Sequence, residues 1–413
     1  MKRKDTILII VIGVILILGV VSYKQKPLNP EKEEIKINYS DYYFDTVKTL
    51  KEKSIYIKEE NFINIGTVSD NIVLNLEKDD YFDLGYFKIK DMDFYIDYKD
   101  ISESEEEIID DSWKKYIPFN LSIKTSSVTN LYLNDKVIFS LNQPLTLPII
   151  IKDDNYYGVS FKDKLYYLKK DEVEVIDNVN TDLEYTSAIA TLVYHATYDS
   201  SNQAEKNKCI NNNATICLSD IQFDSQMKYL YDNNFYTATM KDVDMFIDGK
   251  IQLPKKTVVI TIDDGYFLEA AVRVLEKYNL HATVFVIGAL MDLDEWKSDA
   301  FYSPNVELHS HTYLMHTPNV CSGGQGSALK CHNREELLAD LKKSREQLNG
   351  STVFCYPFFE YNDYAISVLK EAGFTMAFAG GRQKIKVGSN KMTLPRYGII
   401  NTSSLNDFIK VVN

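Results

Sequence analysis

K-T-V-V-I-T-I-D-D-G, residues 256–265, is an apolar run that ends abruptly in two carboxylates and a glycine. A strand half-exposed to water alternates apolar and polar residues. This one does not, so it reads as buried on both faces, as strands of a parallel sheet covered by helices are. Runs of the same texture flank it: A-I-A-T-L-V-Y-H (188–195), F-Y-T-A-T-M (235–240), A-T-V-F-V-I-G (282–288), V-E-L-H-S-H (306–311), S-T-V-F-C-Y-P (351–357) and T-M-A-F-A-G (375–380). Between them lie segments of helical period, among them 221–234, 267–278, 334–348 and 364–373. The alternation predicts an α/β fold, a (β/α) barrel of about seven strands and so an incomplete one, over residues 186–413.

In such a barrel, polar residues at the C-terminal ends of the strands face one mouth. The strand ends here are His195, Asp263 with Asp264, His311, and Tyr356 with Pro357. Core histidines packed by chance would not share that placement. Adjacent carboxylates at a strand end point in different directions, so one can hold a cation while the other takes a proton, and Gly265 lets the chain turn sharply. His311 and His316 lie across the short loop T-Y-L-M. An Asp and two His leave coordination positions open for water and substrate, the donor set of a hydrolytic divalent ion, with Zn²⁺ expected and other divalent transition metals open.

The motifs T-I-D-D-G, S-H-T-x-x-x-H and Y-P in the next strand resemble those of the NodB-type polysaccharide deacetylases, carbohydrate esterase family 4, over about residues 188–413. L-V-Y-H ahead of D-D-G resembles the permuted arrangement of the poly-N-acetylglucosamine deacetylases. The resemblance implies a hydrolase acting on a linear amide. It makes Asp263 the general base, Asp264, His311 and His316 the metal ligands, and His195 the acid for the leaving amine. It also assigns the backbone N–H of Tyr356 to the oxyanion. Where the family often carries an Arg before Y-P, this chain has Phe354-Cys355, and Arg396 in L-P-R-Y is the candidate replacement for orienting the base. Phe359 stands where a Gly is usual. His309 shares strand parity with His311 but reads as an ordinary hydrogen-bonded histidine; His281 and His332 carry no role.

The N-terminal half has another texture. A basic tail (1–5) precedes an apolar segment (6–23) with no small-x-small cleavage site, followed by a polar stalk (24–36). This predicts an uncleaved, single-pass membrane anchor with the rest of the chain outside the cell. From 37 to 180 short alternating runs predict small antiparallel sheets. F-K-I-K-D-M-D-F-Y-I-D-Y-K-D-I (87–101) overlies V-S-F-K-D-K-L-Y-Y-L-K-K-D-E-V (159–173) without a gap, which predicts two tandem β-rich modules, 37–110 and 111–180. Their endings resemble bacterial SH3-like cell-wall modules, implying either wall binding or a spacer.

Five cysteines suit an oxidising compartment: Cys209 with Cys217 and Cys321 with Cys331 each bracket what reads as a polar loop and are placed to close a local disulfide, while Cys355 is left over in an apolar run. A net charge of −13 over 413 residues, with no basic block past the first residues, excludes a nucleic-acid partner. The combined expectation is a metal-dependent N-deacetylase of N-acetylglucosamine units in a cell-surface polysaccharide. Peptidoglycan stands slightly ahead of poly-N-acetylglucosamine. An inactive wall-binding protein on the same fold and an O-deacetylase are the alternatives. Oligomeric state is not legible.

Overall fold

The computed structural model describes residues 37–106, 111–178, 182–291 and 303–413. The expected anchor, 6–23, lies outside them, as do the tail and the stalk. Among the described residues no helix is long and apolar enough to cross a membrane.

Eight strands build the C-terminal sheet: β1 (Ala190–Tyr194), β2 (Tyr236–Thr237), β3 (Thr257–Asp264), β4 (Ala282–Val286), β5 (Val306–Ser310), β6 (Val353–Cys355), β7 (Met376–Phe378) and β8 (Tyr397–Gly398). They pair in parallel in the order β7–β6–β5–β4–β3–β1–β8, with β2 against the start of β3. A single bridge, Phe378 to Leu394, links β7 to the segment leading into β8, so the ring is an incomplete barrel. Period 2 assigns the faces of β3. Val258, Ile260 and Ile262 pack outward against helices Asp220–Asp232 and Glu269–Tyr278, whereas Val259 joins the interior cluster with Phe285, Cys355 and Phe378. Thr261 and Asp263 share the interior parity, so the run that decides the fold also aims a carboxylate into the barrel.

The segment read as a polar loop between Cys209 and Cys217 begins instead as a helix, Gln203–Asn213. The Asn202 side chain caps it by accepting from the N–H groups of Ala204 and Glu205, which overrides the poor helix propensity of its asparagines. The F-Y-T-A-T-M strand shortens to β2, because Thr239 forms a capping box with Asp242 and starts helix Met240–Ile247. Cys209 bonds Cys217 and Cys321 bonds Cys331, while Cys355 is a buried free thiol.

The N-terminal half is one antiparallel path of 14 strands that divides into two halves with the same pairing order. In each, the first strand pairs with the fourth and the seventh, and the order continues fourth, fifth, sixth, second, third. Residues 87–101 and 159–173 hold corresponding places in that order. The halves meet third strand to third strand, Phe62–Val68 against Lys136–Leu141. Gly66 sits at this seam with φ +153°, and a Cβ there would meet the Ser140 carbonyl oxygen at 1.9 Å, so only glycine fits.

The second half does not stand apart from the barrel. Trp113, Tyr116, Ile150 and Ile151 belong to the same hydrophobic cluster as the barrel interior and helix Met240–Ile247. Tyr116 OH donates to Asp242 Oδ1 at 2.7 Å, and Ile117 bridges Gln252.

Candidate metal centre

Asp264 ends β3 with φ +73°, in the left-handed region, followed by Gly265 at +88°. That turn separates the two carboxylates. Asp263 points into the barrel and is buried; Asp264 turns toward the mouth.

Arg396, fully buried just before β8, reaches Asp263 with both terminal nitrogens, Nη1 to Oδ1 at 2.7 Å and Nη2 to Oδ2 at 2.8 Å. Its remaining donors are also spent: Nη1 on Thr261 Oγ1 at 3.0 Å, Nε on the Ala379 carbonyl at 3.1 Å, and Nη2 on Cys355 Sγ at 2.8 Å. The Cys355 thiol in turn faces Asp263 Oδ2 at 3.3 Å. Burial would push the Asp263 carboxyl up, but the guanidinium beside it more than offsets that and holds it well below the usual carboxylate range. A bidentate pair of this kind fixes both the charge and the plane of the carboxylate.

Asp264 contrasts with it. Its Oδ1 is buried and accepts no hydrogen bond, yet His311 Nε2 lies 3.5 Å away and His316 Nε2 3.4 Å away. The Nδ1 of His311 sits 2.8 Å from the Cys355 carbonyl, which can only accept, so in the neutral ring Nδ1 carries the proton and Nε2 presents a lone pair. Lone pairs on an oxygen and two imidazole nitrogens, aimed at one point, repel unless a cation lies between them. The titration tendencies agree. Burial alone would lower His311, but Cys355 and the two aspartates push it well above its ordinary value, while burial and the neighbouring His311 bring His316 down to about 4. The pocket wants one positive charge, not two. One carboxylate oxygen and two imidazole nitrogens, the second ring nitrogen of one held by a carbonyl, fit a divalent transition metal such as Zn²⁺.

His195, directly after β1, lies within electrostatic reach of Asp263, Asp264 and Arg396, and burial lowers its pKa. Phe358 and Phe359 both adopt left-handed backbone, φ +59° and +62°. The Phe358 ring packs on His316 at 4.6 Å, and the Phe359 ring covers Arg396 at 5.2 Å and meets His195 at 6.5 Å.

The structure therefore brings together Asp263, Asp264, His311, His316 and Arg396, with His195 close by. It does not support the oxyanion role expected of the Tyr356 N–H. That group donates to the Phe378 carbonyl at 3.0 Å, and the Tyr356 hydroxyl donates to the Met392 carbonyl, so the sheet has already used the donor. His309 stays outside the centre, its Nδ1 at 2.7 Å from Ser351 Oγ and its Nε2 beside Glu307. Sequence reasoning missed the Cys355 contact with the base, although its position one residue before Tyr356 gives it the parity of the barrel interior. It also missed Asp340, considered below.

Comparison with known proteins bears on the same residues. Residues 250–377 match the family model described as polysaccharide deacetylase. The chain is 27% identical over 165 residues to a putative polysaccharide deacetylase, YxkH, of Bacillus subtilis, covering 38% of this chain and 56% of that protein. It is 25% identical over 210 residues to a poly-beta-1,6-N-acetyl-D-glucosamine N-deacetylase of Staphylococcus aureus, covering 47% and 71%. Among solved structures, the Streptococcus pyogenes deacetylase PplD in complex with acetate aligns with 55% of this chain and 98% of its own, at 21% identity and a TM-score of 0.45. The matched residues 250–377, which include Asp263, Asp264, His311 and His316, are similar to polysaccharide deacetylases.

Proposed function

We infer that this chain hydrolyses the acetamido group of N-acetylglucosamine residues in a cell-surface polysaccharide, with Asp264, His311 and His316 holding a divalent metal. The observation that carries this reading is the buried, unbonded Asp264 Oδ1 facing two imidazole nitrogens, directly beside the Asp263–Arg396 pair. A bound divalent ion supplies Lewis acidity toward the amide carbonyl and acidifies water, from a pKa of about 15.7 toward 7.

The chain's own residues do the rest. Asp263, kept ionised by Arg396, accepts the proton of the attacking water. Arg396 holds that carboxylate in one plane, so no reorientation is needed during the reaction. Burial lowers the pKa of His195 while the two aspartates favour its charged form; in that protonated form it is the acid that delivers a proton to the departing amine. Phe359 shields the Asp263–Arg396 pair from water, which strengthens it.

For the polymer, poly-N-acetylglucosamine is the better supported choice: it stands in the name of the S. aureus relative, and His195 precedes the aspartate pair in the chain. Peptidoglycan, placed slightly ahead on sequence grounds, draws no support from the fold or the relatives. The same proposal puts the barrel outside the cell behind the apolar segment 6–23. The two β-rich halves would then act as an SH3-like spacer or polymer-binding unit, a reading supported by their shared strand order.

The test is acetate release by the full-length chain from β-1,6-linked N-acetylglucosamine oligomers and from purified peptidoglycan, with and without chelator. Release from the oligomers, abolished by chelator and restored by Zn²⁺, is expected. Faster release from peptidoglycan would reverse the choice of polymer. Release from neither, with the fold intact, would overturn the activity.

A further inference from the structure

We propose that Asp340 is a positioning residue for the metal centre: its carboxylate sets the turn that brings His311 and His316 onto one point. The inference rests on the metal reading above.

The two histidines are separated by Thr312, Tyr313, Leu314 and Met315. Four residues can adopt many turns, and few of them bring both Nε2 atoms to within 3.5 Å of the same oxygen. The turn observed is a strained one. Thr312 takes φ +77°, a conformation that a β-branched residue rarely adopts. Such a backbone persists only where its surroundings over-determine it.

Here the carbonyls of Thr312 and Tyr313 accept from the N–H groups of Gly288 at 3.0 Å and Ala289 at 2.7 Å, and the N–H groups of the three residues after Thr312 are held by one side chain. Asp340 lies in the middle of helix Arg334–Gln347 and is buried. Its Oδ2 accepts from Tyr313 N–H at 2.9 Å, and its Oδ1 accepts from Leu314 N–H at 2.7 Å and Met315 N–H at 3.2 Å. Three consecutive N–H groups converge on one carboxylate, the concave backbone arrangement that binds anions. Every residue of the turn except Thr312 is thus tied to a rigid helix. Ser310 Oγ, 2.7 Å from Ser344 Oγ one helical turn further on, accepts from Thr312 N–H at 3.3 Å.

The chemistry is specific to aspartate. Asparagine offers one carbonyl oxygen and an NH₂ group, so at least one of the three N–H groups would face another donor. Glutamate keeps both oxygens but places them about one methylene too far. Alanine would leave the three N–H groups without their common acceptor.

The test uses the full-length chain and Zn²⁺ titrated in competition with a chromophoric chelator. Asp340→Asn is expected to weaken Zn²⁺ binding by about 10- to 100-fold, the size of effect that groups orienting metal ligands have elsewhere, and saturating Zn²⁺ should restore much of the turnover. Asp340→Glu should fall between Asn and wild type, and it carries the test if the Asn variant does not fold. Leu230→Ala is the control. It opens a cavity under helix Asp220–Asp232, whose core cluster includes none of the four turn residues, and should lower the melting temperature but leave Zn²⁺ affinity within about twofold. Wild-type affinity in Asp340→Asn would overturn the proposal. So would failure of both Asp340 variants to fold, which would make Asp340 a determinant of the fold. If wild type binds no Zn²⁺, the metal reading itself fails, a different result from the other two.

Discussion

Two aspartates at opposite ends of the barrel, Asp264 and Asp242, are treated in opposite ways. Asp242, beside the N-terminal half, is fully satisfied. Its Oδ1 accepts from Tyr116 OH at 2.7 Å, and its Oδ2 accepts from Thr239 N–H at 2.9 Å and from Tyr236 OH. Asp264, at the mouth, has a buried oxygen with no donor and two imidazole nitrogens facing it. A buried carboxylate that is fully hydrogen-bonded ties elements together; one left without partners awaits a ligand. The backbone repeats the contrast. Away from the mouth, left-handed residues are mostly Asn and Asp in turns, but around the centre Thr312, Phe358 and Phe359 join Asp264 in that conformation. Strain at bulky residues collects where chemistry is proposed.

Substitutions at the two ends should have different consequences. The largest effect should come from Asp263→Asn. Acetate release should fall by about 10²- to 10⁴-fold, the contribution of a positioned general base, while Zn²⁺ binding persists, because this residue is not among the proposed ligands. At the satisfied end, Tyr116→Phe should cost about 1–3 kcal/mol of stability by leaving Asp242 Oδ1 short of a donor, measurable by chemical denaturation, with turnover of the folded protein unchanged. A change in turnover would mean that the two ends are coupled. The smallest effect is in pH. His311, whose affinity for a proton Cys355 and the two aspartates raise, must have Nε2 free of a proton to become a ligand, so protons compete with Zn²⁺ for it. Zn²⁺ affinity should then rise with pH, by about tenfold per unit while one proton is displaced, and calorimetry in buffers of different ionisation enthalpy should detect its release.

The strand ends were legible because continuous apolar runs stop at His195, Asp263 and His311, and neither sheet nor barrel explains an ionisable group there. The Asp263–Arg396 contact was legible only as a candidate, since 133 residues separate the partners. Asp340 escaped because it lies among Glu335, Glu336, Lys342 and Lys343 and resembles one more solvated charge. Its helical spacing from the buried Leu337 and Ser344 places it on the inward stripe, and that was the available signal. The bond from the Tyr356 N–H to the Phe378 carbonyl was hidden for a different reason: residue identity does not reveal which backbone donors a sheet consumes. The packing of the barrel against the N-terminal half was not legible either. A chain cut at 186 would expose the cluster that Trp113, Tyr116 and Ile150 cover, so experiments belong on the full chain.

The most direct measurement is Zn²⁺ binding by the full-length chain and by Asp264→Asn, with Tyr116→Phe as a reference for the other end. The account predicts one tightly held ion in wild type and in Tyr116→Phe, and affinity lower by at least about 100-fold in Asp264→Asn. Undiminished binding in Asp264→Asn would contradict the claim that its unbonded oxygen is a metal ligand.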